Sequence, residues 1–274
     1  MKIDLAFKYK DLINYLNKIV PFTPQVTIVL GSGLGDFAET LNIVKSISTT
    51  DLIGYPPSTV EGHSGRIIFV ESENKKLLLF KGRIHFYEGY KIYECILPVF
   101  ISYKLGCNKI IFTNAAGGIK KDYSPGDLML AESFNGVNIK KELTDIIGIA
   151  TAEVKNNLGN FTSSQLNKII KQAAVEENID LKKGTYWFSK GPSYETPAEI
   201  NMMAKFRGDA VGMSTVHEII FALSLGMEAA SISCITNYAA GISTTKLSHE
   251  EVTETANRVK DTFGSLVNRV IALI

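Results

Sequence analysis

Only three cysteines, Cys95, Cys107 and Cys234, occur in 274 residues, far apart, with no C-x-x-C pair and no adjoining histidine cluster. That spacing argues against a disulfide framework and a zinc site, and it fits a reducing, cytoplasmic setting. An excess of either charge is also missing. Lys and Arg number 29 against 28 Asp and Glu, a formal net charge of +1, so no general attraction to nucleic acid or anionic membrane is expected. Any anion must be held by local geometry. The opening MKIDLAFKYKDL sets acids and lysines where a signal peptide needs an unbroken apolar stretch, and no later run approaches membrane-spanning length. No repeat of about 20 to 50 residues is present, which sets aside solenoids and propellers.

What is there is an alternation of strand-like and helix-like runs to the end of the chain. It predicts one α/β domain over residues 1–274. Within Gly191–Gly241 the alternation occurs twice: Asp209 to Met213 stops at Ser214 and Thr215 before a helix over 216–226, and Ala229 to Thr236 ends on Asn237. Ligands of open α/β sheets bind at the carboxyl ends of strands, which makes Met213, Ser214 and Asn237 candidates. The plain alternative is that Ser214 caps a helix and Asn237 fills a turn.

The same pattern recurs upstream. The apolar run Val26 to Leu30 leads into Gly31-Ser32-Gly33-Leu34-Gly35, where glycines let backbone N–H groups approach an anion and Ser32 adds a hydroxyl. The spacing is G-x-G-x-G, and no strand with a terminal acid follows, which weighs against a dinucleotide site. Arg66 to Val70 and Leu77 to Phe80 read as a hairpin, followed by Lys81 to Gly89. If extended, that segment puts Arg83, His85 and Tyr87 on one face, suited to an anion beside a sugar, or forms a solvated edge strand. His63 and His85 lack the carboxylate or cysteine partners of a metal site, so none is expected.

Lys109 to Thr113 is a further strand, with Asn114 to Gly118 read as a turn whose backbone N–H groups form a second wall. Asp127 to Ala131 is another strand, whereas 132–161 shows no clean period. Helices are expected over Leu5–Ile19, over Ile92–Leu105 with a kink or late start at Pro98, over Gln165–Ile179 and over Ser248–Leu273, the last with Ser248 and Glu251 spaced as a capping box. The aromatic strand Gly184–Ser189 delivers Tyr194 and Glu195 to the mouth of a helix begun by Pro197, where Glu195 could equally complement the helix dipole.

The motifs GSGLG, EGHSGR, KGRIHFYEGY, TNAAGG, GPSYETPAE, VGMSTVHE and ITNYAAG stand in one order between about Val26 and Val252. This set resembles the trimeric purine nucleoside phosphorylases. The resemblance implies a central mixed β-sheet flanked by helices, and cleavage of purine nucleosides by inorganic phosphate to free base and α-ribose 1-phosphate. It implies no cofactor, phosphate being a co-substrate. Ser32, His63, Arg83, His85, the backbone of Ala115 and Ser214 match the phosphate site. Tyr87, Met213 and His249 match the ribose contacts; Tyr194, Glu195 and Asn237 match the purine site, with Asn237, His85 and Glu195 the catalytic candidates. An amide at Asn237 beside Glu195 implies 6-oxopurines, inosine and guanosine; the methylthioadenosine phosphorylases of the same family, and a non-catalytic purine- or phosphate-binding protein, are the alternatives. A homotrimer with the site near the subunit interface is implied, with Phe161 matching a residue that reaches the neighbouring ribose. The departures are His217, where relatives usually have proline, and the 132–161 segment.

Overall fold

The computed structural model of the protein describes residues 2–57, 65–159, 162–243 and 249–274, with the backbone alone at 249–251. The amino-terminal amphipathic segment forms α1 (Leu5–Lys8) and α2 (Lys10–Ile19), which turn Leu5, Leu12, Ile13 and Leu16 inward. β1 (Val26–Leu30) is buried at every position, as a continuous apolar run requires. β2 (Ile43–Ser48), β3 (Arg66–Ser72) and β4 (Lys75–Lys81) follow. β3 and β4 make the expected hairpin, turning at Glu73 and Asn74 with φ of 50° and 58°. Two positive φ values match the twist of the flanking strands.

Next come α3 (Ile92–Cys95) and α4 (Leu97–Lys104), and Pro98 sits in the first turn of the second helix, where a missing N–H costs nothing. β5 (Lys109–Gly118) and β6 (Leu128–Asn135) precede α5 (Lys140–Ile147), α6 (Ala152–Gly159) and α7 (Ser164–Glu176). β7 (Lys182–Phe188), α8 (Pro197–Lys205), β8 (Ala210–Gly212), α9 (Val216–Ser224), β9 (Glu228–Tyr238), α10 (His249–Arg258) and α11 (Lys260–Leu273) complete the chain.

Three expectations are corrected. Asn114 to Gly118 is no turn, because β9 and β8 pair with it on either side and carry β5 through its glycines. The segment after β4 is not extended throughout: Phe86–Glu88 is a 3-10 turn. The last helix is two, broken at Val259. Ser248, the first member of the expected capping box, lies outside the described residues.

Among the described residues the nine strands run in the order β2-β3-β4-β1-β5-β8-β7-β6-β9, and β9 pairs back onto β5. β5, β8, β7, β6 and β9 therefore close into a ring, while β2, β3, β4 and β1 extend from it as an open wing. Helices cover both faces of this mixed sheet. Alternate residues feed opposite cores: Val29, Ile67, Phe69, Leu78 and Phe80 pack with α2, α4 and α9, whereas Ile28, Ile68, Val70, Leu77 and Leu79 pack with α7, α10 and α11. Each such side chain contributes about 1.5–3 kcal/mol by leaving water, enough to offset a costly buried polar cluster elsewhere.

Candidate active site

Strand direction gathers the site. β1 runs parallel to β4 and β5, and β5 runs parallel to β9, so four carboxyl ends meet at one edge. β8 runs against β5, meeting it only at Gly117 and Gly118 while pairing with β7 on its other side, which brings its own carboxyl end down beside Ala115. One cleft at that edge is lined by Ser32 from the loop after β1, by Arg83, His85 and Tyr87 after β4, and by Asn114 to Gly117 of β5. Gly212, Met213 and Ser214 after β8, Thr236 and Asn237 of β9, and Tyr194 and Glu195 ahead of α8 complete it. The scattered motifs thus converge. His63 and Phe161 lie outside the described residues, as does the side chain of His249, whose backbone opens α10.

Close approach of backbones builds the anion end. At Gly31 a Cβ would stand 2.6 Å from both the Asn114 Cα and the Thr113 oxygen, so only glycine lets β1 deliver Ser32 against β5. Arg83 is buried, its Nε 3.0 Å from the carboxylate of Glu218, and its Nη1 donates to the Thr113 carbonyl at 3.1 Å. His85 Nδ1 lies 2.9 Å from Glu88 Oε1, which also accepts the His85 N–H at 2.7 Å. Glu88 thereby orients the ring toward the cleft, and Tyr87 stacks on it at 4.8 Å. Burial, reinforced by Glu88, pushes the Tyr87 phenol up to about 12, so it remains a donor at neutral pH.

Thr215 has a φ of 74°, a conformation that costs a β-branched residue about 1–3 kcal/mol and that clusters at functional turns. It follows Ser214, whose hydroxyl lies 3.1 Å from that of Thr215. Asn114 donates to the Thr215 hydroxyl at 3.1 Å and to Ser231 at 3.2 Å. At the other end of the cleft, Asn237 Nδ2 donates to the Tyr238 carbonyl at 3.0 Å, and its Oδ1 accepts from Thr236 at 2.9 Å. One N–H and one lone pair of the amide remain for a ligand. Glu195 Oε1 is buried without a partner among the described residues in the same cleft.

The sequence reading missed Glu88, Thr236 and Glu218. Glu88 was within reach, three residues from His85. Glu218 was not, because it meets Arg83 across 135 residues of chain. Among the described residues no group of three His, Cys, Asp or Glu could hold a metal ion, and no helix is long and apolar enough to cross a membrane.

A strand-edge cleft lined by a guanidinium, hydroxyls, an amide and a carboxylate is suited to an anion together with a planar polar ring. A family model described as the phosphorylase superfamily matches residues 25–272. The chain is 37% identical over 261 residues to purine nucleoside phosphorylase 1 of Geobacillus stearothermophilus, covering 94% of each chain. It is 38% identical over 264 residues to purine nucleoside phosphorylase 1 of Bacillus subtilis (strain 168), covering 94% of this chain and 95% of that one. A Schistosoma purine nucleoside phosphorylase solved with hypoxanthine superposes with a TM-score of 0.87 at 27% identity, covering 99% of this chain and 98% of the other. The chain belongs to the purine nucleoside phosphorylase family, glycosyltransferases that split purine nucleosides with phosphate.

Proposed function

We propose that the protein cleaves 6-oxopurine ribo- and deoxyribonucleosides with inorganic phosphate, giving free base and α-(deoxy)ribose 1-phosphate, without a cofactor. The observation that carries the 6-oxo preference is the buried Glu195 Oε1, without a partner among the described residues, in the same cleft as an Asn237 amide with one donor and one acceptor to spare. A 6-oxopurine offers a ring N–H to Glu195, an oxygen to the Asn237 amide N–H and an adjacent ring nitrogen that gains a proton as the bond to sugar breaks. Adenine has no ring N–H for Glu195, which would leave that buried oxygen unpaired.

Cleavage builds positive charge on the ribose and negative charge on the base. Ser32, His63, Arg83, His85, the Ala115 backbone and Ser214 would fix phosphate below the ring, with Arg83 tempered by Glu218 so that the anion keeps charge to spare for the sugar. Tyr87, Met213 and His249 would hold the ribose, and Tyr194 would cover the base. Tyr194 is 45% exposed and Phe206, in the segment after α8, is 70% exposed. These exposed rings are surface that a neighbouring subunit would cover in the homotrimer the resemblance implies, and the three widely spaced free cysteines fit a cytoplasmic setting.

Inosine, guanosine, adenosine and methylthioadenosine, each with and without phosphate, test the reading through release of free base. Release from inosine and guanosine only when phosphate is present is expected, with adenosine poorer by about 10⁴ or more. A Schistosoma mansoni purine nucleoside phosphorylase has been solved with adenosine, which makes that arm the discriminating one. Adenosine turned over as efficiently as inosine, or cleavage of methylthioadenosine alone, would overturn the proposal.

A further inference from the structure

Glu218 is fully buried in the first turn of α9. Its Oε2 stands 3.0 Å from Arg83 Nε and also accepts the Thr215 N–H at 3.0 Å, while Oε1 lies 3.3 Å from the same Nε. A single carboxylate oxygen therefore ties the loop after β4 to the turn after β8. A residue that merely capped α9 would account for the Thr215 bond. It would not account for a carboxylate taken wholly out of water against a buried guanidinium, an arrangement that repays its desolvation only with good geometry at both ends.

The Thr215 end carries backbone strain, and the residue before it is Ser214. Thr215 Oγ1 receives the Asn114 amide and lies 3.1 Å from Ser214 Oγ, so the turn and the serine hydroxyl move together. Without an acceptor at the Oε2 position, no other group among the described residues stands ready to accept the Thr215 N–H. Arg83 would at the same time lose the group that sets the roll of its side chain.

We propose that Glu218 is a positioning residue that holds Arg83 and Ser214 in one register, so that two strands far apart in sequence present a single phosphate site. This rests on the phosphate role proposed above. Charge and geometry make opposite demands on the anion. The carboxylate opposes the pull of Arg83, so losing its charge alone would tighten phosphate binding, whereas losing its reach would loosen it.

Two substitutions separate these. Glu218→Gln can present its carbonyl oxygen where Oε2 stands and keep both hydrogen bonds without the charge. Glu218→Asp keeps the charge but falls a methylene short of serving both donors. Calorimetric titration with inorganic phosphate, and separately with hypoxanthine, is the measurement. Glu218→Gln should bind phosphate at least as tightly as the unsubstituted protein, Glu218→Asp about tenfold or more weakly, and both should bind hypoxanthine within about twofold. Phosphate affinity retained in Glu218→Asp, lost in both variants alike, or lost in step with hypoxanthine would overturn the proposal. Unsubstituted protein that binds phosphate but cleaves no nucleoside would remove the function proposed above and leave this inference standing.

Discussion

In the proposed reaction Asn237 faces the heaviest demand of any single side chain, because its remaining lone pair would accept from the ring N–H that forms as the purine departs. Asn237→Ala should lower kcat/KM for inosine by about 10² to 10⁴ while phosphate affinity stays unchanged, since leaving-group stabilisation acts in the transition state. Comparable losses in phosphate binding would place the amide in the wrong half of the cleft. His217 makes a different prediction. The imidazole is completely buried, both ring nitrogens lack a partner among the described residues, and Phe188 meets it edge-on at 5.5 Å. Burial, with Arg83 and His85 adding to it, holds its pKa down to about 3 from an ordinary 6.5. Between those values the unfolded chain binds a proton that the folded chain refuses, so this group makes stability fall as pH falls, by up to about 1.4 kcal/mol per unit. His217→Leu should raise unfolding free energy by about 1–2 kcal/mol at pH 7 and flatten the decline toward pH 5 in denaturant titrations. An unchanged slope would refute the account. At this scale most of the cleft was legible, since Arg83, His85, Glu195 and Asn237 are polar residues standing where apolar strands stop. Their buried supports were not, because Glu218 reads from sequence as an ordinary acid in the first turn of a helix.

Strands and turns were read best where side chains announce them. β1, the β3–β4 hairpin and α9 came out nearly as spaced in the sequence, because a β-branched run, a turn pair and a polar hinge each have a local cause, although the N-cap of α9 is Thr215 and not Ser214. β5 did not. Its NAAGG tail has no β-branched or aromatic side chain to mark a strand, and it is held extended by β8 and β9, which arrive from more than ninety residues later in the chain. The 132–161 stretch failed for another reason: α5 buries little beyond Leu143 and Ile146, and α6 buries no residue fully, so neither carries much periodic signal. The close approach of Gly31, just past β1, to the neighbouring β5 yields the prediction proper to this scale. Gly31→Ala places a methyl against main-chain atoms that have no room to retreat, and should destabilise the fold by about 1–3 kcal/mol while weakening phosphate binding through displacement of Ser32. A melting temperature and phosphate affinity equal to those of the unsubstituted protein would show that the two strands part freely.

For the whole molecule, light scattering should give three times the 30.1 kDa chain mass if the proposed trimer forms, and dilution to monomer should abolish turnover. A fully active monomer would remove the neighbouring subunit from the site. The closed ring of β5, β8, β7, β6 and β9 has a further effect on how this chain tolerates change. In an open sheet a strand that gains or loses a residue passes its slip outward until it escapes at an edge; in a circle the slips must sum to a constant, and the bulges between Ala116 and Gly117 and between Ala131 and Ser133 already take up part of that sum. A one-residue insertion inside any of the five would therefore return to its starting point as a misfit and turn Asn237 or Met213 away from the cleft. Insertions of the same size in the exposed α5–α6 connection would be absorbed, so chain length in this architecture is free to drift only outside the circle.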